Sequence, residues 1–128
     1  MPALNFMRMF VEPIRLRLKN HTIRADRAVP IKPGDKLYLY CGMRRKGAFR
    51  ILLEPVICSR VQRIEMYTTL GILSQNPYFN IDVDGETLSV SEKDRLAKAD
   101  GFDSIEGMAA FWKRRLPFKG QIIHWRHS

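Results

Sequence analysis

Lys19, Thr22 and Arg24 stand at short spacing at the head of the stretch KNHTIRADRAVPIKPGDKLYLY, which runs to Tyr40. An ammonium, a hydroxyl and a guanidinium so placed suit the lip of a site that handles nucleic acid, because cations and hydroxyls are the side chains that grip phosphate. Lys36, Tyr38 and Tyr40 alternate with Leu37, Leu39 and Cys41, which gives one basic-aromatic face and one apolar face. Arg27 lies between these two runs, and Arg44, Arg45 and Lys46 follow in a loop bracketed by Gly42 and Gly47. The expected phosphate contacts are therefore Arg24, Arg27, Lys36, Arg44, Arg45 and Lys46, and the expected stacking faces are Tyr38 and Tyr40. A plainer account competes: a solvated sheet face whose tyrosines bridge core and water.

Composition bounds the partners. The 128 residues carry 22 Lys and Arg against 13 Asp and Glu, a net charge of +9. That excess raises the local concentration of any polyanion and speeds its encounter without telling DNA from RNA or from a nucleoside. At 45% hydrophobic residues the chain can bury one core and is too short to divide, so a single domain over 1–128 is expected. Cys41 and Cys58 lack CxxC spacing and lie in apolar surroundings, which predicts buried thiols. His124 and His127 stand three apart on an expected strand and face opposite ways, so no metal is called for, and no cofactor either. Trp112 and Trp125 sit in apolar patterns that read as core. No signal-peptide order and no membrane-length apolar run is present, which predicts a cytoplasmic protein with no membrane partner.

The elements that must position these residues follow from periodicity. Phe6, Phe10, Ile14 and Leu18 recur at helical spacing, and Pro13 confines the helix to about Glu12–Leu18 after a looser segment. A short strand at about His21 to Arg24 should send Ile23 inward and display Thr22 and Arg24. Lys32-Pro33-Gly34-Asp35 has the order of a type II turn, with a strand from Lys36 to Cys41 after it. A long β segment, roughly Phe49 to Thr69, is marked at Pro55 by an edge or bulge. Asp84-Gly85 between extended residues signals a hairpin over Asn80 to Leu88 and a largely antiparallel sheet. Ser91-Glu92-Lys93-Asp94 reads as a capping box for a helix that Gly101 closes. Asp103 or Ser104 caps the next helix, whose stripe of Ile105, Met108, Ala109, Trp112 and Leu116 ends at Pro117. A last strand, Gly120 to Arg126, completes an α+β domain whose sheet is expected to curl into a small barrel.

Lys19-Asn20-His21-Thr22-Ile23-Arg24, Lys32-Pro33-Gly34-Asp35 before a strand, Asp100-Gly101-Phe102 before Ser104-Ile105-Glu106, and a closing strand resemble, in that order, the ASCH domain family of the PUA-like superfamily. The resemblance covers nearly the whole chain. It implies a PUA-like β-barrel with flanking short helices and a basic cleft that binds nucleic acid, with RNA the expected partner. One branch is similar to N4-acetylcytidine amidohydrolases, and on that likeness Lys19, Thr22 and Glu106 form a catalytic set, with Asp100 the lesser stand-in for the acid. Other members resemble ribonucleases that use the same cleft. The hairpin and helix from about Asn80 to Lys98 are extra to the smallest enzymes of that branch. For hydrolysis, Lys19 must shed its proton to activate Thr22, which burial or the nearby charge of Arg24 favours, while Glu106 holds the attacking water or the leaving amine. Lys19, Thr22, Arg24 and Glu106 are then expected to converge. The plain alternative is a helix-end cation, a strand threonine and a helix-start acid.

Overall fold

The turn at Lys32–Asp35 forms as its residue order predicts. Gly34 takes φ 95°, the Asp35 N–H donates to the Lys32 carbonyl at 3.0 Å, and the Lys32 N–H donates to Asp35 Oδ2 at 2.9 Å. The computed structural model describes residues 2–70 and 77–127. Along the chain these are β1 (Ala3–Phe6), a 3-10 turn (Arg8–Phe10), α1 (Val11–Arg15), β2 (His21–Ala25), β3 (Lys36–Cys41), β4 (Phe49–Arg50), β5 (Val56–Leu70), β6 (Pro77–Val83), β7 (Glu86–Thr87), α2 (Val90–Ala99), α3 (Ile105–Trp112), a second 3-10 turn (Lys113–Arg115) and β8 (Phe118–His127). The class is α+β. Contacts divide the chain into two compact units, one of Met1–Thr22, Arg27–Val61 and Ile123–Ser128, the other of Ile23–Asp26 and Gln62–Ile122.

In the first unit β3 is the organising strand. Its apolar side chains Leu37, Leu39 and Cys41 are buried, at 0%, 2% and 6% exposure, and Lys36, Tyr38 and Tyr40 take the other face, as alternation predicts. β1 runs parallel to it, Ala3 opposite Tyr38 and Phe6 opposite Cys41. β4 pairs antiparallel across the loop, Tyr40 opposite Arg50, and the start of β5 pairs antiparallel at Lys36–Ile57 and Leu37–Val56. Phe6 meets Trp125 edge to face at 5.9 Å, so Trp125 is core.

In the second unit β5 pairs antiparallel with β6 from Ile64–Val83 to Leu70–Pro77, and β6 turns into β7 through Asp84 and Gly85. Both turn residues have positive φ, 50° and 84°, which is the mirror-image turn that a two-residue hairpin favours. Ile64, Met66, Ile81, Met108 and Ile122 make its core, and Trp112 packs on Phe118 at 4.8 Å. β8 pairs with β2 and with β5.

Several expectations are corrected. Among the described residues no pairing closes the path β1-β3-β5-β6-β7, so the expected barrel is not formed; β1 and β7, of four and two residues, are short edges that end a sheet. The N-terminal stripe breaks into a strand and a shorter helix, because Phe6 belongs to β1 and α1 stops at Arg15. Arg17 then takes φ 61°, and both Leu18 and Lys19 return their N–H to the Pro13 carbonyl, at 2.9 and 3.0 Å. That reversal turns Leu18 out, 68% exposed, and Lys19 in, 2% exposed. The long β segment is two strands broken over residues 51–55, with Pro55 standing immediately before β5, where its missing N–H costs no ladder bond. The capping box lies two residues earlier than expected: Ser89 accepts from the Glu92 N–H at 3.2 Å and Glu92 accepts from the Ser89 N–H at 3.0 Å. Gly101, φ 104°, ends α2 as foreseen, and Ser104 caps α3 by accepting from the Gly107 N–H.

Candidate nucleic-acid interface

The outer face of β3 carries Lys36, exposed, and Tyr38 and Tyr40, both half-buried. Arg50 lies across the two rings, its guanidinium carbon 4.9 Å from the Tyr38 centroid and 6.0 Å from that of Tyr40. A cation over an aromatic face is attracted by the ring quadrupole, so the exposed Arg50 covers the surfaces expected to be open for stacking. A planar group would reach these tyrosine faces only by displacing Arg50, or would stack on the guanidinium plane itself. Sequence reasoning missed Arg50. The signal was available: Gly42 and Gly47 bracket a reversal between Cys41 and Phe49, which puts Arg50 opposite Tyr40.

The loop after β3 is built rather than loose. Gly42, Arg44 and Gly47 have φ of 74°, 67° and 89°, the Arg45 N–H donates to the Gly42 carbonyl at 3.0 Å, and the Ala48 N–H donates to the Arg45 carbonyl at 3.2 Å. The Met43 N–H donates to Asn5 Oδ1 at 2.8 Å, which ties the loop to β1. Arg44, Arg45 and Lys46 are exposed on these turns, as expected. Arg45 and Lys46 also line a cavity of about 420 Å³. Arg27 and Lys36 line another, of about 530 Å³, against Asp35 and Gly34. The structure thus gathers Arg27 with Lys36, and Arg45 with Lys46, all within the first unit.

The residues expected to converge fall differently. Lys19 and Thr22 belong to the first unit; Arg24 and Glu106 belong to the second. Thr22 is not displayed: His21, Thr22 and Ile23 are 5%, 5% and 7% exposed, so β2 is buried on both faces and only Arg24 is partly open. The alternation argument fails there because a strand covered on both sides has no solvent face to read. Lys19 lies with its Nζ 4.7 Å from the centre of the Phe10 ring. Glu106 stands exposed in the first turn of α3, while Asp100, the C-cap of α2, is 4% exposed. His21 packs against His124 with ring centres 5.4 Å apart. Among the described residues no group of His, Cys, Asp or Glu is placed to hold a metal ion. Both cysteines are free and buried; burial, and then the charge of Asp35, pushes the Cys58 thiol up, which keeps it in the unreactive protonated form.

Charge is unevenly shared. The first unit holds 13 Lys and Arg against 3 acids, a net +10, and the second 9 against 10, a net −1. In the second unit some cations are met by acids: Arg63 grips Asp26 through both terminal guanidinium nitrogens, at 2.6 and 3.3 Å, and Lys98 meets Asp94 at 2.9 Å. Arg63 accordingly holds the Asp26 carboxyl below its ordinary range. Among the described residues, no helix is long and apolar enough to cross a membrane. No protein-family model matches the sequence, and no curated protein and no solved structure matches it.

Proposed function

We propose that this chain is an ASCH-like nucleic-acid-binding protein, with RNA as its first partner, and that it binds through the first unit. The observation that carries the reading is the net +10 of that unit against −1 for the other. Fixed positive charge on one body, with few acids to answer it, is what releases counterions from a polynucleotide. The same unit holds the Tyr38–Tyr40–Arg50 stack and the ordered cationic loop, so planar groups for bases and cations for phosphates lie on the same body. The test is affinity for single-stranded and structured RNA across a salt series. Binding weakens steeply as salt rises if the reading holds, and salt-insensitive or absent binding removes it.

A hydrolase is the second reading, favoured by the burial of Lys19 and Thr22 together. Activating a threonine hydroxyl requires a neighbouring base, and Lys19 lies on the same unit as Thr22. N4-acetylcytidine and a short RNA are the substrates to incubate. Released cytidine or cut strands that vanish with Thr22→Ala and with Lys19→Ala support the enzyme, and no turnover of either substrate removes it.

A further inference from the structure

Beside the basic loop lies a cavity of about 420 Å³ whose wall changes chemistry from one set of residues to the next. Arg45 and Lys46 come from the loop, and Arg8 from the 3-10 turn that follows β1. Phe6, Phe49 and Met7 contribute apolar surface, and no acid lines it. The cations stand on braced backbone. The loop is two consecutive turns tied to Asn5, and the Arg8 turn is closed by the Phe10 N–H donating to the Met7 carbonyl at 3.0 Å. The volume falls within the range of small-ligand sites.

Three cations on one concavity exceed what a phosphodiester, with its single charge, asks of one position, and they match a phosphomonoester dianion. The apolar wall beside them suits the sugar and base that carry it. We propose that this cavity holds a nucleotide phosphomonoester, the phosphorylated end of a strand, with Arg8, Arg45 and Lys46 on the phosphate and Phe49 against the nucleoside. This rests on the nucleic-acid reading and adds to it: binding is then sensitive to the terminus of the strand and not only to its charge. Arg8 is the residue newly assigned.

The experiment compares one single-stranded RNA with a 5′-phosphate, a 3′-phosphate or neither, and titrates cytidine 5′-monophosphate separately by amide NMR. One phosphorylated strand binds about tenfold tighter than the unphosphorylated strand, on the scale of one charge-assisted contact. Arg8→Ala, and independently Lys46→Gln, bring that strand down to the unphosphorylated level; both positions are exposed, and such substitutions leave folding nearly unchanged. The end that gains affinity identifies the terminus. Equal affinity for all three strands overturns the proposal and leaves general binding standing. If no strand binds but the mononucleotide moves the Gly42 and Gly47 amides, the cavity stands as a nucleotide site and the nucleic-acid reading falls. If neither strand nor mononucleotide binds, both fall.

Discussion

Leu18 and Lys19 show how one backbone torsion decides which side chain meets water. With Arg17 at φ 61°, the chain reverses after α1 and buries the lysine in place of the leucine. Helical spacing read across Leu18 gave the opposite answer, because a left-handed residue other than glycine leaves no mark in the hydrophobic pattern. Arg17 also acts on His127. Burial first, then the positive charge of Arg17, holds the His127 imidazole below its ordinary 6.5. The unfolded chain therefore takes up that proton at a higher pH than the folded one, and the stability this confers is whole above about pH 6.5 and is lost as pH falls through the folded value. Urea midpoints measured between pH 8 and pH 5 are expected to fall on the acid side, and His127→Gln is expected to flatten that fall. An unchanged slope in the variant places the acid sensitivity elsewhere. Arg50 makes the other point at this scale: its own residue type does not mark it, and its register opposite Tyr40, set by the reversal between Gly42 and Gly47, puts it over the two rings.

The elements were legible wherever local chemistry decided them. Pro33-Gly34, Asp84-Gly85 and Gly101 each demanded one torsion, and the turn, the hairpin and the helix end stand where those residues put them. β1 was not legible, since four residues that pair parallel with β3 depend on a partner more than thirty positions away. The burial of β2 on both faces was hidden for the same reason. The start of α2 was misread by two residues because Ser89 and Ser91 both precede acids at capping distance, and the structure selects Ser89. Ser89→Ala removes one side of a reciprocal pair and is expected to cost about 1 kcal/mol in chemical denaturation. Ser91→Ala, the substitution that the sequence pattern alone would have singled out, is expected to cost less. In β8, Gly120 is required for closeness rather than torsion: a methyl there would collide with the Arg24 carbonyl oxygen and stand 2.7 Å from the Phe118 ring. Gly120→Ala is therefore expected to destabilise by about 1–3 kcal/mol, the usual cost of overpacking. A neutral effect would show that the Arg24 segment yields freely.

At the scale of the molecule, the +9 visible in composition hides its own distribution. It resolves into +10 and −1 only when the units are known, and the units are interleaved along the chain, so no window of sequence displays them. The basic loop and the β3 face were legible because they are contiguous; the cavity that adds Arg8 to Arg45 and Lys46 was not, because its wall joins residues nearly forty positions apart. The central claim is that the first unit is the binding body. A strand that engages about four phosphates loses roughly fifty-fold in affinity between 50 and 200 mM salt. The direct measurement is the RNA dissociation constant across that series for three proteins: the natural chain, a variant carrying Arg44→Glu, Arg45→Glu and Lys46→Glu, and a variant carrying Lys113→Glu and Arg114→Glu in the second unit. The account predicts that the loop variant binds at least about tenfold more weakly with a shallower salt dependence, while the second-unit variant stays within about threefold of the natural chain. Equal losses in the two variants, or an affinity that salt does not move, would contradict it.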